Sequence, residues 1–144
     1  MSLLDVSYSP AAEVAPKDTI RDAVAAALPA NCDAVAVMED RQIVGILTSR
    51  DIMQKVVLNR MDSESTLVQD VMTTPVVILH PNTDAEEALS LMLDRNIRHI
   101  LLSEDGKTPC GMLSLRKLLG FIVEEQRDDL DHLANFLMVD GPGG

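Results

Sequence analysis

A segment of seven residues occurs twice in this chain, and this repetition limits the possible folds more than any other feature. The two copies are residues 45–51, with the sequence GILTSRD, and residues 111–117, with the sequence GMLSLRK. The apolar start of each copy favours a buried strand, and Thr48 or Ser114 suits the N-cap of a following helix. The free N–H groups and positive end of such a helix favour an anion. We therefore expect two strand–helix junctions, which differ at their last residue.

The similarity of the two halves extends beyond this segment. The first half matches the second at an offset of 65 residues, which becomes 66 at Gly45 and Gly111. The change of offset indicates one additional residue in the second hairpin turn. Duplicated units that cannot bury their apolar faces alone pack on each other. The matching pairs before the change are Pro16 and Pro81, Ala23 and Ala88, Val35 and Ile100, Glu39 and Glu104, and Asp40 and Asp105.

The apolar pattern predicts the same series of elements, β-α-β-β-α, in each half. In the first half the expected strands are residues 13–15, 34–38 and 43–47. One helix is expected to begin at an Asp18 N-cap, and another to run from Ser49 to about Leu58. The residues expected to face the core are Ile20, Ala23, Val24 and Ala27 in the first helix, and Ile52, Val56 and Val57 in the second. In the second half we expect strands at residues 76–79, 100–102 and 111–113, a helix with a Thr83–Glu86 capping box, and a last helix from Ser114.

These elements predict an α/β (α+β) chain with two small sheets that face each other and helices on the outside. Its expected segments are an N-terminal arm at residues 1–12, a first repeat at 13–58, a linker at 59–67, a second repeat at 68–124, and a C-terminal helical extension and tail at 125–144. The extension has no counterpart in the first half. Its apolar residues Leu130, Leu133 and Leu137 continue one stripe, which packs either on its own repeat or on a second chain.

The composition disfavours several classes of function. The net charge of −11 argues against nucleic acid and anionic membranes as partners, because both are bound through Lys and Arg. Cys32 and Cys110 lack the spacing of a zinc site or a disulfide framework, and no metal site is expected. The chain shows neither a signal peptide nor the ~18 consecutive apolar residues that span a bilayer. We therefore expect a cytoplasmic protein.

The order of these motifs resembles the cystathionine-β-synthase (CBS) domain pair over roughly residues 10–125. The resemblance rests on the Gly-apolar-apolar-Thr-x-x-Asp junction and on four segments of the second half. These are residues 70–76 (DVMTTPV), 88–92 (ALSLM), 97–100 (IRHI) and 111–114 (GMLS). The resemblance implies one pseudo-symmetric module with two clefts for adenosine-type ligands, namely AMP, ADP, ATP or S-adenosylmethionine.

The resemblance assigns seven residues to the first cleft, taken from both repeats. It implies that Thr48 and Asp51 bind the ribose, because a carboxylate accepts hydrogen bonds from both ribose hydroxyls. Arg98 and His99 are expected to face the phosphate, where a guanidinium pairs with phosphate oxygens. The aliphatic residues expected to flank the adenine are Ile46, Val76 and Val77.

The second cleft departs from the family pattern in two places. Ser114 is in place, but Lys117 replaces the ribose-binding Asp and accepts no hydrogen bond. Asp33 occupies the position that matches Arg98, where its charge repels phosphate. We therefore expect one functional nucleotide site in each chain, and a different anion, if any ligand, beside Lys117.

Three interpretations of the function follow. The first is a regulatory module that binds an adenosine-type ligand and signals to an unidentified protein partner by a conformational or oligomeric change. The second is a structural or dimerisation module with a vestigial cleft, in which Thr48 and Asp51 only cap a helix. The third, an enzyme, is disfavoured because no nucleophile–base pair, metal-ligand set or phosphate-binding loop is present. The family resemblance also makes a homodimer the expected assembly.

Overall fold

The computed structural model describes residues 2–139, and two similar three-stranded sheets form its centre. Met1 of the expected arm and residues 140–144 of the expected tail lie outside this range. The first repeat contains β1 (Glu13–Val14), α1 (Ile20–Ala27), β2 (Ala34–Glu39), β3 (Gln42–Thr48) and α2, which is α-helical at Ser49–Asp51 and π-helical at Ile52–Val57. The second contains α3 (Val68–Val71), β4 (Ile78–Leu79), α4 (Ala85–Arg95), β5 (His99–Leu102), β6 (Gly111–Ser114) and α5 (Leu115–Val139). A 3₁₀ helix, Leu3–Val6, precedes both.

The two sheets have the same topology, which confirms the predicted tandem repeat. In the first sheet β1 is parallel to β2, and β2 is antiparallel to β3. In the second sheet β4 is parallel to β5, and β5 is antiparallel to β6. Among residues 2–139, no helix has both the length and the hydropathy needed to cross a membrane.

Alternation along the strands places one apolar face of each sheet against its own helices and the other against the second sheet. In β2, Val35 and Val37 belong to the core of the first repeat, whereas Ala34 and Ala36 belong to a central cluster shared with Leu101 of the other sheet. Successive strand residues point to opposite faces, so a sheet between two apolar layers is apolar at every position. The sheets therefore face each other, as expected, with the helices outside.

The segment that precedes the first strand of each repeat pairs with the last strand of the other repeat. Tyr8 and Met112 exchange two backbone hydrogen bonds of 2.8 Å. Ile46 and Thr73 exchange an equivalent pair, of 3.1 and 2.8 Å. The arm is thus part of the fold, and Leu3 is only 1% exposed in the core of the second repeat. These exchanged segments connect the repeats on both sides of the molecule.

Two of the predicted helix caps are wrong. Thr19, not Asp18, caps α1 through a reciprocal pair of hydrogen bonds with Asp22, while the Asp18 carboxylate accepts from the Ala15 N–H. At α4 the N-cap is Asp84, without a side-chain hydrogen bond, in place of the Thr83–Glu86 capping box. Thr83 belongs to the preceding turn, where its N–H donates to the His80 carbonyl at 3.0 Å.

The orientation predicted for Val57 is also wrong, since Val57 is 68% exposed while Val56 is buried. A π-helical turn has i→i+5 hydrogen bonds and turns less per residue than an α-helix. Here the Leu58 N–H donates to the Met53 carbonyl at 3.2 Å, so Val57 rotates out of the apolar stripe. The strand predicted at residues 76–79 is shorter than expected, because pairing begins only at Ile78.

We expect Leu3→Ala to lower the free energy of unfolding by about 2–4 kcal/mol, because a buried leucine leaves a cavity on truncation. Leu28→Ala is the matched control, since Leu28 is 72% exposed, and its effect should stay within about 0.5 kcal/mol. Urea unfolding of both variants provides the comparison. Equal effects of the two substitutions would contradict the assignment of the arm to the core.

Candidate functional site

A cleft of about 420 Å³ lies between the two repeats, at the junction of β3 and α2. Five of the seven residues assigned to the first cleft line it: Ile46, Thr48 and Asp51 from the first repeat, and Arg98 and His99 from the second. Its other lining residues are Asp33, Ser49, Arg50, Met53, Gln54, Thr73, Asn96 and Ile97. The volume falls in the range of about 300–1,000 Å³ that small-molecule sites occupy.

Thr48 and Asp51 form a capping box at the start of α2. The Thr48 Oγ1 accepts from the Asp51 N–H at 3.3 Å, and the Asp51 Oδ2 accepts from the Thr48 N–H at 3.0 Å and from the Thr48 Oγ1 at 3.2 Å. This confirms the predicted N-cap at Thr48. Asp51 is only 6% exposed, so the box holds a carboxylate at the floor of the cleft.

The second carboxylate oxygen of Asp51 connects the two repeats. Asp51 Oδ1 accepts from Thr73 Oγ1 at 2.8 Å and lies 3.0 Å from Lys55 Nζ. Lys55 Nζ also donates to the Val71 carbonyl at 3.0 Å. Neither Thr73 nor Lys55 was predicted from the sequence as a site residue, although Thr73 lies inside one of the segments that support the family resemblance. The only signal for Lys55 is its i,i+4 spacing from Asp51.

The chain turns sharply between α4 and β5, and this turn brings Arg98 and His99 to the cleft. Asn96 ends α4 with a left-handed backbone, φ 52°, a conformation that asparagine tolerates better than most residues. Its carbonyl accepts from Arg50 Nη1 at 3.1 Å, which joins the rims of the two repeats. Arg98 is exposed at the entrance, and His99 is half-buried behind it.

His99 lies near two opposite charges, and burial has the largest effect on its pKa. Burial lowers the pKa of His99 below its ordinary 6.5, the Asp33 carboxylate opposes that decrease, and the Arg98 guanidinium reinforces it. Asp33, which sequence reasoning assigned to the second cleft, is exposed and lines both clefts. A negative charge therefore faces the first cleft in addition to Arg98.

Val76 and Val77 do not line the 420 Å³ cleft. Val76 packs against the central cluster that contains Ile46, and Val77 packs against the core of the second repeat. Both are half-buried. The short β4 begins after them, at Ile78, so the strand that was expected to present them to the adenine is absent at these positions.

The pseudo-symmetric region around the second junction has a different chemistry. Ser114 Oγ accepts from the Lys117 N–H at 3.1 Å, which repeats the cap at Thr48. Lys117 Nζ lies 3.9 Å from the centroid of the Tyr8 ring, a cation–π contact. Tyr8 takes the place that Thr73 has in the first cleft, and it lines two volumes of about 640 and 540 Å³. This side thus presents an aromatic ring and a cation where the first has a hydroxyl and a carboxylate.

Comparison with known proteins places the two repeats in one family. The CBS domain family model matches residues 5–58 and 68–124. The mitochondrial CBS domain-containing protein CBSX3 of Arabidopsis thaliana is 34% identical over 125 residues, which cover 83% of this chain and 60% of that protein. The chain thus spans less than two thirds of this relative.

Solved structures give the same fold. The CBS domain structure NE2398 aligns with a TM-score of 0.77 and 30% identity over 84% of this chain and 94% of that one. CBSX2, solved in complex with AMP, aligns with a TM-score of 0.68 and 20% identity over 87% of this chain and 98% of that one. At this identity, the second alignment supports the fold alone.

We expect Asp51→Ala to lower the free energy of unfolding by about 2–3 kcal/mol, because it leaves the Thr73 hydroxyl and three further donors without their acceptor. The ion pair with Lys55 adds less, because the Lys55 side chain is 41% exposed and solvent screens it. The matched control is Asp22→Ala, which removes the equivalent capping box of α1 and should cost about 1 kcal/mol. Urea unfolding of the two variants measures the difference. Equal losses would mean that the link to Thr73 contributes no stability.

The free energy of unfolding should also decrease as the pH decreases, because of His99. Because the folded-state pKa of His99 lies below 6.5, the unfolded chain takes up the proton first. The stability contributed by neutral His99 is present above 6.5 and is lost as the pH falls towards the folded-state pKa. We expect His99→Gln to lose less stability than wild type between about pH 7.5 and 5.5, measured by urea unfolding. An unchanged pH dependence would contradict this assignment.

Proposed function

The chain belongs to the CBS domain family, and from this premise we propose that it is a regulatory module that binds one adenosine-type nucleotide between its repeats. The observation that supports this function is the meeting of Thr48 and Asp51 with Arg98 and His99 in one cleft. Acceptors for a ribose come from one repeat and a cation for a phosphate comes from the other. AMP, ADP, ATP and S-adenosylmethionine are the candidate ligands.

In this proposal the ribose hydroxyls bind the Asp51 carboxylate. A carboxylate has about four acceptor positions, and Asp51 already accepts from two groups of Thr48, from Thr73 and from Lys55. The ribose must therefore replace the Thr73 hydroxyl or Lys55 at Asp51 Oδ1. Replacing Thr73 breaks the hydrogen bond between Asp51 and the second repeat, whereas replacing Lys55 breaks its ion pair with a residue that also donates to the Val71 carbonyl of that repeat. Either change is the proposed route of the signal.

The charges of the cleft favour a ligand with few phosphates. Two arginines, Arg50 and Arg98, line the cleft, but Arg50 already donates to the Asn96 carbonyl. Asp33 and Asp51 line the same cleft and oppose a second or third phosphate. The net charge of −11 acts in the same direction at long range. AMP and the sulfonium S-adenosylmethionine are therefore favoured over ATP. AMP, which CBSX2 binds in its solved complex, is the first ligand to test.

The module is proposed to act as a homodimer on a protein partner in the cytoplasm. A binding domain affects a process through contact with another protein, or by storing or buffering its ligand. The relative CBSX3 is named as a mitochondrial protein, so the mitochondrion is the alternative to the cytoplasm for this chain.

A structural module with a vestigial cleft is the second candidate. It is favoured by the Asp51 carboxylate, whose acceptor positions are all engaged by protein groups. In that case the capping box and the Thr73 link serve only to join the repeats.

Titration calorimetry of AMP and adenosine against wild type and Arg98→Ala tests the proposal. We expect one site per chain, with AMP weakened about 10- to 100-fold in Arg98→Ala because a charge-assisted hydrogen bond is lost. Adenosine, which lacks the phosphate, should bind both proteins about equally. Arg95→Ala is the matched control, since Arg95 is exposed at the end of α4 and does not line the cleft.

Each other outcome has a definite meaning. Two sites per chain would show that the second junction also binds nucleotide, despite Lys117. Equal weakening of AMP and adenosine in Arg98→Ala would remove Arg98 from the phosphate. No binding of AMP, ADP, ATP or S-adenosylmethionine to wild type would favour the structural module.

A further inference from the structure

The helix α5 begins on the second repeat and then extends away from it. Leu118 is fully buried, and Leu115 and Ile122 pack against the core of the second repeat. From Val123 to Leu137, every residue is exposed. Within the part of the chain that the structure describes, these four turns of the helix thus contribute no buried residue to the core. A helix without tertiary packing on its apolar face is marginally stable in water.

Five of the six large exposed apolar residues in the described part of α5 follow a heptad pattern, and the sixth, Phe136, lies beside it. Leu119, Val123, Leu130, Leu133 and Leu137 are between 41% and 65% exposed. With Gln126 included, the spacing alternates between four and three residues from position 119 to position 137. This spacing repeats every seven residues, which is the pattern of a left-handed two-stranded coiled coil. The stripe is about 28 Å long, from the rise of 1.5 Å per residue.

We infer that this stripe pairs with the same stripe of a second copy of the chain, as a parallel coiled coil in register. Gln126 indicates that the partner of the stripe is a second copy of the chain. It is the one polar residue of the stripe, and its amide both donates and accepts hydrogen bonds. In a parallel pair in register it faces Gln126 of the second copy, so each amide satisfies the other. A partner with an apolar residue in this layer leaves the amide unpaired, which is why a polar core residue specifies register.

The charges beside the stripe favour the parallel arrangement over the antiparallel one. In an antiparallel pair whose stripes overlap fully, Gln126 faces Leu130 of the second copy. Arg127 then lies beside Arg127 of the second copy, and Asp129 lies beside its Asp129. Both contacts are between like charges. In the parallel pair, Arg127 lies beside Ile122 and Asp129 beside Ala134, so neither repulsion occurs. The remaining acidic residues, Glu124, Glu125, Asp128 and Asp131, lie at outer positions of the heptad.

This inference does not depend on nucleotide binding, and it predicts which cysteine substitution forms a disulfide. Facing core positions of a parallel coiled coil come within the Cα–Cα distance of about 4.4–6.8 Å that a disulfide requires. We expect Gln126→Cys, made in a Cys110→Ser background, to convert mostly to covalent dimer under mild oxidation. Asp128→Cys, two residues away on the outer face, is the control and should stay monomeric on a non-reducing gel. Cys32 is buried and left in place.

A second variant separates the coiled coil from any other contact between copies. Leu130→Glu with Leu133→Glu, added to Gln126→Cys, should abolish the disulfide while the module still unfolds in one cooperative urea transition, because both leucines lie outside the core of the single chain. Loss of cross-linking with a retained cooperative transition would support the inference. Equal cross-linking at positions 126 and 128, no cross-linking at 126, or cross-linking that survives the double substitution would overturn it. A monomeric wild-type chain at micromolar concentration would overturn it as well.

Discussion

The buried carboxylate of Asp51 is the interaction on which the cleft depends. One of its oxygens completes the capping box with Thr48, and the other accepts from Thr73 of the opposite repeat and pairs with Lys55. A buried charge is stable only when several donors surround it, and here they come from both repeats. The same residue thus begins a helix, joins two repeats and places negative charge at the floor of a cavity. This combination explains why the proposed ligand site and the contact between repeats are inseparable.

The duplication has kept the fold and changed the chemistry. Both junctions have a capping hydroxyl, and the preceding segments pair with the opposite sheets in the same way, through Tyr8 in one case and Thr73 in the other. The backbone contacts are thus nearly symmetric. The side chains are not, because a cation–π pair of Lys117 and Tyr8 replaces the carboxylate and the hydroxyl. The two clefts therefore differ in chemistry, in keeping with our proposal of one nucleotide site in each chain.

The sequence predicted the repeat and most of its elements because local patterns determine them. The cap at Thr48 and the continuous apolar runs of β2 and β3 depend on neighbouring residues alone. Thr73 was missed because its contact with Asp51 joins positions 22 residues apart, which no local period encodes. The orientation of Val57 was wrong because a π-helical turn follows Asp51, and a period of 3.6 residues does not apply there. The location of Asp33 between both clefts also required the tertiary structure.

A crystal structure of the chain with AMP tests the central claim most directly. The account predicts a nucleotide in the cleft between the repeats, with ribose hydroxyls within hydrogen-bond distance of the Asp51 carboxylate and the phosphate beside Arg98. The Thr73 hydroxyl or Lys55 should then have left Asp51 Oδ1. Nucleotide bound beside Lys117 instead, or ribose bound elsewhere while Asp51 keeps all its present partners, would contradict the account.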